Sequence, residues 1–499
     1  MPNVTFVQPD VKSNLASYEL IRDCLAGEQQ IKSRRTKYLP MPNPEDTSTE
    51  NMARYQSYLT RSVFYNVAAR TQAGLVGQVF LRDPQVEVPA LLQPVVNDAT
   101  GSGVPLMQVA QELTGFGVGF GRAGVYVDYP SVQPVEGQDA DNDDAPPATS
   151  VAQLESGEVR ATIRVVAPWD AINYRVKARG AKIVLSLIVF REDQIIDDDG
   201  FETKKKDQWR VLRLDENDQV VIEIYRSKQG TRADETYYPT DATGARLKDI
   251  PFTFVGAVNN DPKPGPMPMY DLCSLNIAHF RNSADFEEAT YMLGQPTPWF
   301  GGLTEQWVKD VMGGRVVLGS RSAILLPVNS SAGLLQVDPN TLAKEAMDQK
   351  EAQMLALGAK LVEGSQVQRT ATEADIDNVS ETSILSSVAS NVGAAIEFAL
   401  NVASMFTGAT GKIVYDLNTE FDLVNLSPEE RKTLLAEYQA NAITFEEYRA
   451  ALRRAGIAYL DDKAAKKQLD EQAAEDMANA VKEAADLAAA TGAPEPIAA

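Results

Sequence analysis

The sequence predicts an α+β chain in which a strand-rich middle lies between long amphipathic helices. Three observations predict it. Apolar residues recur every three or four positions at the N-terminus and again from residue 269 onward. Short alternating or continuous apolar runs, separated by turn residues, crowd positions 124–254. Two long helical periods bracket a Gly-, Pro- and Trp-containing segment between residues 294 and 340.

Taken in order, Val11 to Glu28 reads as a helix on Leu15, Tyr18, Ile21 and Leu25, and Tyr38-Leu39-Pro40-Met41-Pro42-Asn43-Pro44 breaks it. One helix is expected from Thr49 to Gln78 on Tyr55, Tyr58, Leu59, Val63, Val67, Leu75 and Val79. Val86-Glu87-Val88-Pro89 suggests a short strand, and Leu106 to Leu113 a helix. Strands are expected at Gly124–Tyr129, Arg160–Val166, Ala181–Arg191, Gln208–Leu214, Val220–Tyr225 and Ile250–Phe254. Residues 133–150 hold Asp139, Asp141, Asp143 and Asp144 beside Pro146 and Pro147, a composition expected to form a mobile surface loop. Met269 to Leu293 and Leu342 to Val362 read as helices, and Gly364 to Thr372 as a polar break. The longest period steps through Leu385, Val388, Val392, Ile396, Ala399, Ala403 and Phe406. Lys412 to Phe421 reads as strand. Ser427-Pro428-Glu429-Glu430 opens a helical remainder, with a cap residue, Pro at the first position and acids in the first turn.

Composition bounds the function. A 499-residue chain that is 44% hydrophobic can bury a sizeable core. No run of about 20 apolar residues stands out, which argues against a membrane span, and the first residues lack the basic and apolar parts of a secretion signal. The net charge of -22 argues against a protein that wraps nucleic acid, because wrapping neutralises phosphates with Lys and Arg. Such acidity either keeps the chain dispersed or provides a surface that faces DNA without gripping it. Cys24 and Cys273 are the two cysteines, far apart and at no metal-like spacing, which suggests a reducing compartment and no disulfide framework. The single histidine, His279, lies in an amphipathic run and reads as packed rather than catalytic.

Motifs for chemistry fail one by one. Gly119-Phe120-Gly121-Arg122-Ala123-Gly124 has dinucleotide-binding spacing, but a helix precedes it and a strand follows, the reverse of the order that site needs. Gly408-Ala409-Thr410-Gly411-Lys412 lacks the first glycine and the final Ser or Thr of a phosphate loop. Asp197-Asp198-Asp199-Gly200 lacks the alternating ligands of a calcium loop and reads as a hairpin turn. No cofactor and no enzymatic activity are expected.

With chemistry set aside, the order of elements resembles the portal (head-to-tail connector) proteins of tailed bacteriophages. The segments that carry the resemblance are Gly27-Glu28 with Tyr38-Leu39-Pro40, the run Tyr55…Arg61…Phe64-Tyr65-Asn66…Gly74-Leu75…Phe80…Pro84, and Tyr270-Asp271-Leu272…His279-Phe280-Arg281-Asn282-Ser283-Ala284-Asp285. Gln295-Pro296-Thr297 with Gly301-Gly302, and Thr370-Ala371-Thr372-Glu373-Ala374, extend it, so that it covers about Gly27 to Gly408.

The resemblance implies a portal fold: a mixed wing domain (1–268), stem helix 1 (269–293), a small β-containing clip (294–340), stem helix 2 (341–363), a channel or tunnel loop (364–372), a long channel-bracing helix with a wing strand (373–426), and a helical C-terminal crown (427–499). It implies a ring at one capsid vertex, usually of about twelve subunits, that conducts double-stranded DNA during packaging and ejection without sequence-specific binding. Its partners would be the terminase packaging motor and tail adaptor at the clip, and the major capsid and scaffold proteins. It would sit in the virion, and in the host cytoplasm during assembly, away from membranes. Candidate channel residues are Lys360, Gln366, Gln368 and Arg369, with Arg369 either touching phosphate or bridging subunits. Trp299, Phe300 and Trp307 are candidate docking anchors or small-domain core. Leu272, Leu275, Ile277 and Phe280, spread around one helix, are candidate ring-packing residues, unless that helix is buried within a single subunit. Another ring-forming head–tail connector, or an enzyme with an unfamiliar site, is the alternative.

Overall fold

The computed structural model describes residues 3–129, 160–228, 232–294, 297–311, 325–335, 341–361, 383–419 and most of 428–454, with scattered positions beyond. The acidic segment 133–150 and the polar segment 364–372 lie outside the described residues. The chain forms two compact units, Met1–Thr419 and Glu420–Ala499. It is α+β, as its patterning predicts.

The first unit opens with α1 (Pro9–Ala26), whose Val11, Tyr18, Ile21 and Cys24 are buried. Gly27, at φ +90°, turns the chain into α2 (Glu28–Ser33). The single helix expected over 49–78 is two, α3 (Thr49–Arg61) and α4 (Val67–Val79). The break is tertiary in origin. Val63 N donates to Ser283 Oγ at 2.9 Å, Asn276 Nδ2 donates to the Tyr65 carbonyl at 2.8 Å, and Asn276 Oδ1 accepts from Ala68 N at 3.2 Å. Buried polar side chains from a distant helix satisfy the backbone that an unbroken helix would have satisfied itself. Asn66 then caps α4 by accepting from Ala69 N at 3.0 Å.

β1 (Gln85–Glu87) is followed by α5 (Gln93–Asn97) and α6 (Leu106–Phe120). Gly121 closes α6 at φ +66° and hands the chain directly to β2 (Arg122–Asp128). A Cβ at Gly121 would lie 1.8 Å from the Pro266 carbonyl oxygen, so the glycine cluster serves close packing. β3 (Thr162–Val166) and, later, β9 (Phe252–Gly256) flank β2 in an antiparallel sheet of order β3-β2-β9.

The second sheet is a meander, β4 (Ala171–Arg179), β5 (Lys182–Asp198), β6 (Thr203–Leu214), β7 (Val220–Tyr225) and β8 (Glu235–Tyr237), hydrogen-bonded in that order. β4 is not among the expected strands, although Tyr174, Val176 and Ala178 alternate with Arg175, Lys177 and Arg179 along its outer half as strand patterning requires. Asp199 Oδ1 accepts from Phe201 N at 2.9 Å to close the β5–β6 turn, so the aspartate run is the hairpin turn its composition predicts.

α7 (Tyr270–Gly294), β10 (Thr297–Gly301), α8 (Glu305–Asp310), β11 (Ser331–Leu335) and α9 (Leu342–Lys360) form a helix–hairpin–helix insertion. α10 (Ile384–Thr407) then runs through the core, burying Leu385, Val388, Val392, Ile396, Ala399, Leu400, Ala403 and Phe406. It approaches α6 so closely that a Cβ on Gly117 would lie 2.7 Å from Val388 Cγ1. Asn391 Nδ2 donates to the Gly256 carbonyl at 2.9 Å, tying α10 to β9. By length and composition α10 is apolar enough to cross a membrane, contrary to the sequence reading that finds no such run, but more than half of that apolar stretch is buried in the chain's own core. β12 (Val414–Asp416) pairs with β1 and ends the unit.

In the second unit, α11 (Pro428–Gln439) and α12 (Phe445–Arg454) meet through Tyr438 stacked on Tyr448 at 5.0 Å. Thr444 and Glu447 form a reciprocal capping box: Thr444 Oγ1 accepts from Glu447 N and Glu447 Oε2 accepts from Thr444 N at 2.7 Å.

Candidate functional site

The insertion from α7 to α9 combines a deeply held root with an outer part that the first unit leaves bare. The root is built by the first half of α7. Leu272, Ile277, Phe280 and Ala284 are buried, together with the polar Asn276, His279 and Ser283. Phe280 meets Phe64 edge-on at 5.9 Å, Arg281 Nε donates to the Tyr38 carbonyl at 2.8 Å, and Tyr58 OH donates to Asp285 Oδ1 at 2.6 Å. Burial, then the Asp285 carboxylate, push the Tyr58 hydroxyl well above its ordinary value, so it remains a donor. Arg61 pairs with Glu288 and lies over the Tyr291 ring at 4.3 Å.

This root bears on the residues expected to pack a ring. Leu272, Ile277 and Phe280, assigned to packing between neighbours in a ring, are buried by the chain's own helices, and Leu275 is half-buried. The apolar character around the first half of α7 is largely satisfied within the chain. Its second half differs, with Tyr291 and Met292 exposed.

α9 runs back alongside α7, and His279 Nε2 lies 3.1 Å from Glu351 Oε1 between them. His279 is 2% exposed, with its ring 6.2 Å from that of Tyr65. It is a packed residue joining two helices. α9 buries Met354 alone among its residues, while Leu342 and Leu355 are 69% and 71% exposed. Lys360 is exposed in its last turn, where a cation complements the helix dipole. Leu385 N donates to the Leu361 carbonyl at 3.2 Å, so the chain returns into α10 beside the point where α9 ends. Gln366, Gln368 and Arg369, between those points, lie outside the described residues.

At the far end, β10 and β11 pair antiparallel with Trp299 opposite Gly333. A Cβ on Gly333 would approach Trp299 Nε1 to 2.9 Å, so the missing side chain is what seats the indole. Trp299 is still about half exposed, whereas Phe300 and Trp307 are half-buried. Trp307 Nε1 donates to the Leu325 carbonyl at 3.3 Å and Thr304 caps α8, so Trp307 braces the hairpin. Leu325, Val328 and Leu334 are exposed beside these aromatics, and sequence reasoning misses them because isolated apolar residues in a turn-rich segment carry no period.

A polar cleft elsewhere is lined by Arg164, Asp170, Arg191, Glu192 and Arg210. Arg191 pairs with Asp170 at 2.8 Å and Arg210 with Glu192 at 2.9 Å, so those charges neutralise one another. Among the described residues no group of three or more His, Cys, Asp or Glu side chains is placed to hold a metal ion.

Residues 268–407, the insertion with α10, match a family model described as a domain of unknown function (DUF4055). No curated protein matches the sequence. Among solved structures, a chain from the virion of a native gene transfer agent particle is similar at 13% identity and TM-score 0.39, over 80% of this chain and 92% of that one. A chain from the neck of an empty gene transfer agent particle, computed with C6 symmetry, is similar at 13% identity and TM-score 0.40, over 78% and 90%. One from the neck of the native particle, computed with C12 symmetry, is similar at 13% identity and TM-score 0.36, over 79% and 92%.

Proposed function

We propose that the chain is the portal subunit of a tailed phage, a non-enzymatic component of the virion that assembles into a ring around a DNA channel. The observation that carries this reading is α9: a 19-residue helix with one buried residue, held against α7 and carrying exposed Leu355. A helix in a protein draws most of its stability from packing an apolar face rather than from its own propensity. Burying a leucine side chain contributes about 1.5–3 kcal/mol, and a neighbour in a closed ring provides that burial at every subunit. In this reading α7 and α9 are the stem. The β10–β11 hairpin with α8 is the clip, where Trp299, Leu325, Val328 and Leu334 meet the packaging motor and then the tail adaptor. Residues 364–372 are the channel loop, with Gln366, Gln368 and Arg369 facing passing DNA and Lys360 at its base. The net charge of -22 suits a conduit that must not hold phosphates.

Light scattering of the purified chain, with negative-stain imaging of the same fraction, tests the proposal. A particle of about twelve subunits with a central hole is expected, and a compact monomer at every concentration contradicts it. The channel assignment is tested separately: Arg369→Ala with Gln368→Ala should impair DNA packaging or retention while leaving the ring intact. Unchanged packaging removes those residues from the channel.

A further inference from the structure

The chain has two cysteines, 249 positions apart, and folding brings them together. Cys24 lies in the last turns of α1 and Cys273 in the first turn of α7. Both side chains are fully buried free thiols, and Cys24 Sγ lies 3.8 Å from the Cys273 carbonyl oxygen. A fully buried residue touches about 6–12 others, so two residues placed at random in a chain this long would meet on the order of one time in fifty. The neighbouring carboxylate, Asp23, is engaged by Arg34, Gln30 and Tyr38. The two residues therefore adjoin where α1 meets α7, with the Cys24 thiol against the Cys273 backbone.

We propose that Cys24 and Cys273 are a modification site, a thiol pair that a low-molecular-weight disulfide converts into a covalent staple between α1 and the root of α7. One cysteine thiolate attacks a sulfur of the small disulfide, whose S–S bond breaks and releases one small thiol. The second cysteine thiolate then attacks the protein sulfur of the mixed disulfide and releases the second small thiol. The two protein thiols are oxidised to one disulfide, the small disulfide is reduced to two thiols, and the two protons lost by the cysteines end on the leaving groups. The Cys273 side chain and burial both push the Cys24 thiol up. Since the thiolate is the attacking form, conversion is slow and waits on local opening where α1 meets α7. The staple fastens the helix that carries the hairpin to the body of the first unit, and it does not depend on the portal reading.

The full chain is equilibrated for hours with oxidised and reduced glutathione, once from the native reduced protein and once by refolding in the same buffer. Free thiols are then trapped with iodoacetamide and the protein is mapped by mass spectrometry. One cross-link joining the Cys24 and Cys273 peptides is expected from both directions, with a Tm several degrees above that of the reduced chain. Cys24→Ala and Cys273→Ala should each abolish the cross-link and the oxidant-dependent rise in Tm. Their Tm under reducing conditions separates lost packing from the lost bridge. Two alkylated thiols from both directions, or glutathione on the cysteines without a cross-link, overturns the proposal.

Discussion

α10 and α9 are both long helices, and they stand in opposite relations to the rest of the chain. α10 buries thirteen of its 24 residues against α6, the β3-β2-β9 sheet and β12, whereas α9 buries Met354 alone of its 19. The two helices therefore draw their stability from different sources. α10 is held by the fold of its own chain. α9 leans on α7 through the His279–Glu351 contact and leaves Leu355 exposed, and in the portal reading a neighbouring copy covers it.

Substitutions in the two helices and around them should differ in effect accordingly. The largest effect is expected at Ile396, fully buried in α10. Ile396→Asp places a carboxylate in the core and should cost about 4–5 kcal/mol, measured as a collapse of the urea midpoint. Next is Gly121→Ala, which combines a positive φ with a Cβ driven into the Pro266 carbonyl. It should cost about 3 kcal/mol by the same measurement, without altering α9.

A smaller effect belongs to Asp23, which accepts from Arg34 Nε at 2.9 Å, Gln30 Nε2 at 2.8 Å and Tyr38 OH at 2.7 Å. Burial pushes its carboxyl up, but the hydrogen bonds from Arg34, Gln30 and Tyr38 outweigh burial and hold it below its usual value. A carboxyl depressed in the fold contributes stability that is complete above its unfolded value of about 4 and is lost as pH falls through the folded value. Asp23→Ala should cost about 2 kcal/mol at neutral pH, and its stability should converge on that of the parent chain in acid. A constant difference down to pH 2 would remove the charge from the explanation. The smallest effect on the subunit is expected at the helix of greatest interest. Leu355→Ala should change stability of the unassembled chain by no more than about 0.5 kcal/mol, yet weaken self-association seen by sedimentation.

The α10 half of this contrast is legible in the sequence, and what is not legible has physical causes. The α10 period is clear because its burial is local to one stripe: Leu385, Val388, Val392, Ile396 and Ala399 face the same neighbours. The reversed order around Gly119–Gly124 is also legible, because Gly121 ends a helix and begins a strand in the way its neighbours predict. The break after Arg61 is not, since the groups that replace the helix hydrogen bonds, Asn276 and Ser283, are more than 200 positions away. The same distance hides the meeting of Cys24 with Cys273. It also hides the burial of Leu272, Ile277 and Phe280 by α1, α3 and the α3–α4 link. A helix apolar on several sides needs partners on several sides, and periodicity does not say whether they come from the same chain. On the hairpin, sequence reasoning singles out Trp299 but not Val328 or Leu334, which stand exposed without a period to mark them.

Hydrogen exchange on α9, read in the unassembled chain and in the assembled fraction, shows whether a neighbouring copy covers that helix. If a neighbouring subunit provides the burial that α9 lacks, amides across 342–353 exchange quickly in the unassembled chain and become strongly protected on assembly, while α10 is protected in both. Equal exchange of α9 in the two states would contradict the account, because the exposed face of that helix would then have no partner in the assembly.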